Sequence, residues 1–174
     1  MNNNLEIERK FLVVDDSYKL LAINHYTIVQ GYICRESGRT VRVRLKSDSN
    51  GQNAAYLTIK GKPAYGMLSR FEWEEEIQWE DAKQLLTLCH GNIIEKTRWL
   101  IPAVEEGLCW EVDEFHGHKE GLTIAELELT AEDQSFTIPS FVGTEVTGLA
   151  KRAASTTTVG NANIATAPTI IGSA

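Results

Sequence analysis

Cysteine, proline and methionine are scarce in this chain of 174 residues, with three, four and two copies. Cys34, Cys89 and Cys109 are odd in number and show no C-x-x-C spacing, which excludes a disulfide scaffold. Free thiols in a reducing, cytoplasmic setting are the expectation. A zinc site drawn from Cys89, His90, Cys109 and His116 matches no zinc-module spacing and is set aside. No segment reaches membrane-spanning length, and residues 1–4 carry no basic stretch leading into an apolar one. Neither a membrane association nor a signal peptide is therefore expected. Positive charge is also in deficit, with 17 Lys and Arg against 24 Asp and Glu and a net charge of −7. That balance excludes a nucleic-acid polymer held through bulk charge, although it does not say how the basic residues are arranged.

The remainder is 43% hydrophobic, enough for one domain with a core. Its pattern is strand after strand. Residues 5–12, Leu-Glu-Ile-Glu-Arg-Lys-Phe-Leu, alternate so that Glu6, Glu8 and Lys10 share one face. Residues 15–25 suit a short helix entered at Asp15-Asp16-Ser17. Residues 28–35 and 40–46 read as a hairpin around Glu36-Ser37-Gly38-Arg39, and 54–60 as a further strand after an Asn-Gly turn signal. Strand 70–79 is the most charged, and 80–90 has the spacing of an amphipathic helix with acids in its first turn. Strands over 92–101, 108–115 and 122–130 follow, with short turn-like connections. The fold class expected is α+β, mostly antiparallel β. Residues 1–148 read as one domain. Residues 149–174 are small and polar, with no charge after Arg152, and are expected to pack weakly.

The charged faces are the informative part. Lys10, Arg42 with Arg44, Lys60, Arg70, and Lys96 with Arg98 place bases on strand faces, whose reverse sides are largely Val, Ile, Leu, Phe or Trp. Glu6 with Glu8, Glu72 with Glu74 and Glu76, Glu111 with Asp113, and Glu126 with Glu128 place acids in the same way. Clustering by strand is what a closed barrel with a charged lumen needs, its apolar exterior covered by helices and loops. So many enclosed charges call for a ligand to offset their desolvation. Arginine and lysine pairs suit phosphate oxygens, and carboxylate pairs suit Mg²⁺ or Mn²⁺. Acids and bases together point to a metal–polyphosphate complex. The bland alternative is an ordinary β domain with charged surface strands.

Glu6-Ile7-Glu8-Arg9-Lys10 resembles the ExExK signature of the CYTH superfamily, the triphosphate tunnel metalloenzymes. Further blocks resemble the family in its order: Gln30-Gly31-Tyr32, Val41-Arg42-Val43-Arg44, Leu57-Thr58-Ile59-Lys60-Gly61, Lys96-Thr97-Arg98-Trp99, Trp110-Glu111-Val112-Asp113, Ala125-Glu126-Leu127-Glu128-Leu129 and Glu145-Val146-Thr147-Gly148. The resemblance implies an eight-stranded closed antiparallel barrel and, most closely, the compact bacterial inorganic triphosphatase branch. It implies metal ligands at Glu6, Glu8, Glu126 and Glu128, with Glu111 and Asp113 as secondary candidates. It implies a phosphate cradle of Lys10, Arg42, Arg44, Lys60, Arg70, Lys96 and Arg98. Lys10, Glu8 and Tyr32 are the implied catalytic set, placing water for in-line attack on a terminal phosphorus without a covalent nucleophile. The implied partners are tripolyphosphate or an organic triphosphate with Mg²⁺ or Mn²⁺, and a homodimer is compatible. Alternatives within the resemblance are a thiamine triphosphatase or a class IV adenylyl cyclase. A non-catalytic polyphosphate or nucleotide-binding module is a further alternative, because Leu149-Ala150-Lys151-Arg152-Ala153-Ala154 lacks the acid and aromatic residues usual after this Glu-Val-Thr-Gly block.

Overall fold

Period-two alternation, sustained across nearly the whole chain, leaves the backbone one economical solution: strands paired antiparallel with one face in and one face out. The computed structural model describes residues 5–36, 38–62 and 69–148. Its strands are β1 (Leu5–Val13), β2 (Asn24–Glu36), β3 (Arg39–Asp48), β4 (Asn53–Gly61), β5 (Arg70–Ile77), β6 (His90–Pro102), β7 (Cys109–Phe115), β8 (Thr123–Leu129) and β9 (Val142–Glu145). Two helices, α1 (Tyr18–Leu21) and α2 (Trp79–Thr87), and one 3₁₀ turn complete the described elements. The sheet runs β5-β4-β3-β2-β6-β7-β8-β1-β9, and β5 also pairs with β1, so β1 to β8 form a closed ring of eight. The expected closed eight-stranded barrel is present.

Closure rests on two register pairs, Leu5↔Phe71 and Glu6↔Arg70. Only the starts of β1 and β5 overlap, which is the stagger a closed barrel requires. Further along, the same edge of β1 is covered by β9 and the chain after it. Val146 donates its backbone N–H to the Lys10 carbonyl at 2.8 Å, and the Lys10 N–H donates to Thr147 Oγ1 at 3.0 Å. A Cβ on Gly143 would lie 2.6 Å from Val14 Cγ1, so this strap lies close against β1 because that position has no side chain.

The core lies outside the barrel wall. One cluster gathers Phe11, Tyr18, Trp110, Val112, Leu127 and Phe141 beneath α1 and the 130–141 segment. Phe11 and Trp110 meet edge to face at 5.5 Å, and Phe136 closes over both. A second cluster packs Ala82 of α2, with Leu85 and Leu86, onto Val43, Leu45 and Ala55. Gly31 permits α2 to end close to the sheet, since a Cβ there would stand 2.6 Å from Cys89 Sγ.

Three expectations need correction. The helix expected over 15–25 is one turn, because Ala22 turns extended and the Ile23 N–H donates to the Leu100 carbonyl at 2.9 Å, so the chain joins β6 instead. Strand 70–79 stops at Ile77; Trp79 opens α2, where Glu80 and Asp81 sit in the first turn and favour its positive end. β9 was not expected as a strand. The stretch 149–174 lies outside the described residues. Among the described residues, no helix is long and apolar enough to cross a membrane.

Candidate active site

The register fixes which side chains share the lumen. Glu8 pairs with Glu128 and Lys10 with Glu126 across β1 and β8, and Glu111 pairs with Glu126 across β7 and β8. Arg42 lies opposite Tyr32 and Thr58, Lys60 opposite Glu72, and Arg98 opposite Asp113. All the site residues expected from the sequence therefore fall on the inner faces of one closed barrel.

Their contacts form two ion-pair belts joined through β1. In the first, Glu6 accepts from Lys60 Nζ at 2.6 Å and Arg70 Nε at 2.7 Å, while Arg70 also donates to Glu8 at 3.0 Å. Lys60 reaches Glu72 at 2.7 Å. In the second, Arg98 donates through Nε and Nη2 to both oxygens of Asp113 at 2.6 Å, to Glu126 at 2.8 Å, and also to Glu111. Lys96 donates to the same Asp113. Lys10 joins the belts, with its ammonium 3.0 Å from Glu8 and hydrogen-bonded to Glu126. On β3, Arg44 donates to both oxygens of Glu74 at 2.9 Å; Arg42 donates to Glu74 at 3.4 Å and to Thr58 at 3.2 Å. Thr58 Oγ1 donates to Glu74 at 2.6 Å.

These contacts set the protonation states. Burial alone would raise the Glu6 carboxyl, but Lys60, Arg70 and a hydrogen bond with Glu72 hold it down to about 2. Burial and the hydrogen bond with Glu6 lift Glu72 to about 7, so this pair shares one proton at pH values below that and gives it up above it. Burial raises Glu126, yet Lys10, Arg98 and Lys96 outweigh it and keep it ionised. Burial and the neighbouring Arg98 depress Lys96 to about 8, against the pull of Asp113.

Glu128 differs from the lumen acids of the two belts. It is exposed at its end of the lumen, and among the described residues no cation pairs with it. Burial, followed by Glu6 and Glu111, raises its carboxyl. A carboxylate facing Glu8 across a register pair, with Glu6 beside it and no base of its own, is an oxygen donor set that suits a hard divalent cation. The described residues do not converge three carboxylates on one point as they stand. Nor do they assemble Cys89, His90, Cys109 and His116 into a metal cluster.

Glu72, Glu74, Thr58, Gln30 and Lys46 also face the lumen and were not among the expected site residues. Glu72 and Glu74 had a signal, since they share strand parity with Arg70. Thr58 and Gln30 had none, because a buried hydroxyl or amide is informative only once its neighbours are known. Tyr32 accepts from Gln30 Nε2 at 3.4 Å, and Arg35 stacks over its ring at 4.9 Å.

A closed barrel of this kind, lined with alternating bases and acids and wrapped by its hydrophobic core, is a tunnel fitted to a polyanion and its counter-cation. The chain belongs to the CYTH domain family, whose sequence profile matches residues 4–158. It is 44% identical over 144 residues to an inorganic triphosphatase of Acetivibrio thermocellus, covering 82% of this chain and 86% of that protein. It is 32% identical over 144 residues to an inorganic triphosphatase of Nitrosomonas europaea, covering 82% and 89%. A crystal structure of an inorganic triphosphatase matches the fold with a TM-score of 0.51 at 29% identity, covering 82% of this chain and 87% of that one.

Proposed function

We infer that this protein is a metal-dependent triphosphatase that hydrolyses inorganic tripolyphosphate to pyrophosphate and phosphate inside the barrel. The observation that carries the reading is the lumen itself, where bases from β1, β3, β4, β5 and β6 converge with carboxylates from β1, β5, β7 and β8. The names of the relatives support the same reaction.

In this reading Arg42, Arg44, Lys60, Arg70, Lys96 and Arg98 bind the phosphate chain, exchanging carboxylate partners for phosphoryl oxygens. Glu6, Glu8, Glu126 and Glu128 would hold Mg²⁺ or Mn²⁺, and Glu111 and Asp113 would support them from the second belt. The bound cation would supply Lewis-acid neutralisation of phosphoryl charge. Lys10 stands between Glu8 and Glu126, where it orients both carboxylates and stabilises charge on the terminal phosphoryl group. Glu8 orients the attacking water, and Tyr32 closes the far side of the cradle beside Arg42. The chain's contribution is mainly positioning and fixed charge, as phosphoryl transfer requires.

The test is phosphate release from tripolyphosphate, ATP and thiamine triphosphate, each with Mg²⁺, Mn²⁺ or EDTA. Turnover of tripolyphosphate that exceeds the organic substrates and stops in EDTA is expected. Binding of tripolyphosphate without turnover would instead identify a non-catalytic module, and preference for an organic triphosphate would reassign the substrate.

A further inference from the structure

Among the described residues, one base in the alternating lumen row of β3 has no ion pair. Lys10, Arg42, Arg44, Lys60, Arg70, Lys96 and Arg98 each face a carboxylate. Lys46, next in the alternating row after Arg42 and Arg44 on β3, forms no ion pair among the described residues. It lies opposite Ile28 on β2 and Ala54 on β4. Its ammonium sits 3.7 Å from the centre of the Tyr26 ring, which fixes the position of the charge without neutralising it. On the neighbouring strand Tyr56 lies beneath the Arg44 guanidinium at 5.4 Å. Burial, and the adjacent Arg44 and Arg98, disfavour the Lys46 charge, while Glu111 and Glu74 only partly support it.

The place of Lys46 in the barrel gives this charge a direction. The lumen end toward the β2–β3 hairpin is filled by Gln30, Ile94 and Ile124, all at most 8% exposed. The opposite end carries Lys46 near the end of β3, Tyr26 near the start of β2, and the exposed Glu76 and Glu128. A substrate with an organic group has to leave that group at this open end. An inorganic chain presents a terminal phosphoryl group there, with more negative charge and more free oxygens than a phosphate esterified to a nucleoside.

We propose that Lys46, held over Tyr26 at the open end of the lumen, binds the terminal phosphoryl group of an inorganic chain and thereby selects inorganic over organic triphosphates. The proposal rests on the triphosphatase reading and adds to it a residue that discriminates between substrates. Lys46 acts in binding and takes no part in bond breaking. The phosphorus attacked lies deeper, by Lys10 and Glu8.

The experiment compares Lys46→Met and Lys46→Arg with the unmodified protein. For tripolyphosphate, kcat and KM are measured with Mg²⁺. For ATP, KM is measured, or its inhibition constant against tripolyphosphate hydrolysis where turnover is too slow. Lys46→Met is expected to raise the tripolyphosphate KM by about tenfold, the scale of one charge-assisted contact, with kcat within about threefold. The constant for ATP should move less than about twofold, and Lys46→Arg should restore most of the tripolyphosphate affinity. Melting temperatures of both variants, expected to match the unmodified protein, separate binding from folding. An equal loss for both substrates, or no loss for either, would overturn the proposal. Should the unmodified protein turn over neither substrate, the triphosphatase reading fails first. Titration calorimetry with tripolyphosphate then decides separately, and equal affinity in the unmodified and Lys46→Met proteins overturns the role of Lys46.

Discussion

Along β7, adjacent residues serve opposite purposes. Trp110 and Val112 point outward into the larger core cluster, 1% and 0% exposed, while Glu111 and Asp113 point inward to Arg98. The outer wall gains free energy by removing apolar surface from water, whatever the lumen contains. The lumen gains little on its own account. Ion pairs there offset the cost of burying charge; Glu128 and Lys46, which have no ion pair among the described residues, shift toward their neutral forms, as does Glu72 beside Glu6. The lesson is a division of labour written at a spacing of one residue. One face of each strand stabilises the barrel, and the other stores electrostatic free energy that a bound polyanion and cation can release.

The sharpest way to break that division is Arg98→Ala. Arg98 serves Asp113, Glu111 and Glu126 together, so its removal strips the buried Asp113 and Glu126 of one of their two cations and leaves Glu111 without an ion pair among the described residues. A stability loss of about 3–5 kcal/mol is expected together with loss of turnover, read by denaturant unfolding and phosphate release. Trp110→Ala should cost a similar amount, about 3–5 kcal/mol, through the cavity left between Phe11 and Phe136. Here kcat per folded molecule should hold at temperatures well below melting, which separates wall from lumen.

A smaller effect concerns the Glu6–Glu72 pair. A carboxyl raised to about 7 in the folded state contributes stability that is complete below the unfolded value near 4.5 and is lost as pH rises through about 7. The melting temperature of the metal-free protein should therefore fall between about pH 5 and about pH 8, and Glu72→Gln should flatten that slope. A slope unchanged in the variant would assign the titration elsewhere. Least of all should be felt outside, at Arg9 and Glu145. The hydrogen bond from Arg9 holds Glu145 below the usual carboxylate range, so its contribution is present above about pH 4.5 and lost on acidification. Solvent screens this pair, and Arg9→Ala should cost under about 1 kcal/mol in unfolding experiments.

Much of this was legible in the sequence because a strand's period is two. Once Glu6, Glu8 and Lys10 are assigned one face, no register is needed to know that Arg9 looks the other way, and it does, toward Glu145. The free cysteines agree with their odd count and spacing. What stayed hidden depends on pairing between distant segments. Barrel closure depends on two pairs separated by a long stretch of chain, and nothing local to Leu5 or Phe71 announces them. The β9 strap was visible only as a family block, since four residues are too few for alternation to speak. The short α1 was misjudged because its apolar spacing suits a helix, whereas Leu20 is 91% exposed and only Tyr18 is buried. Lys46 illustrates the limit for the site. It shares strand parity with Arg42 and Arg44, but its lack of an ion pair becomes visible only when every neighbour's partner is known.

The central claim is that the lumen carboxylates serve a reaction and not the fold. Orthophosphate release from tripolyphosphate by Glu8→Gln protein, at the Mg²⁺ concentration that saturates the unmodified chain, tests it most directly. Glu8 is bound to Lys10 and Arg70 and faces Glu128, so the amide keeps the shape while removing one of two opposed charges. The account predicts a rate reduced by at least about a hundredfold, with cooperative melting within a few degrees of the unmodified protein. Full activity in a normally folded variant would contradict it, as would loss of activity explained by collapse of the barrel.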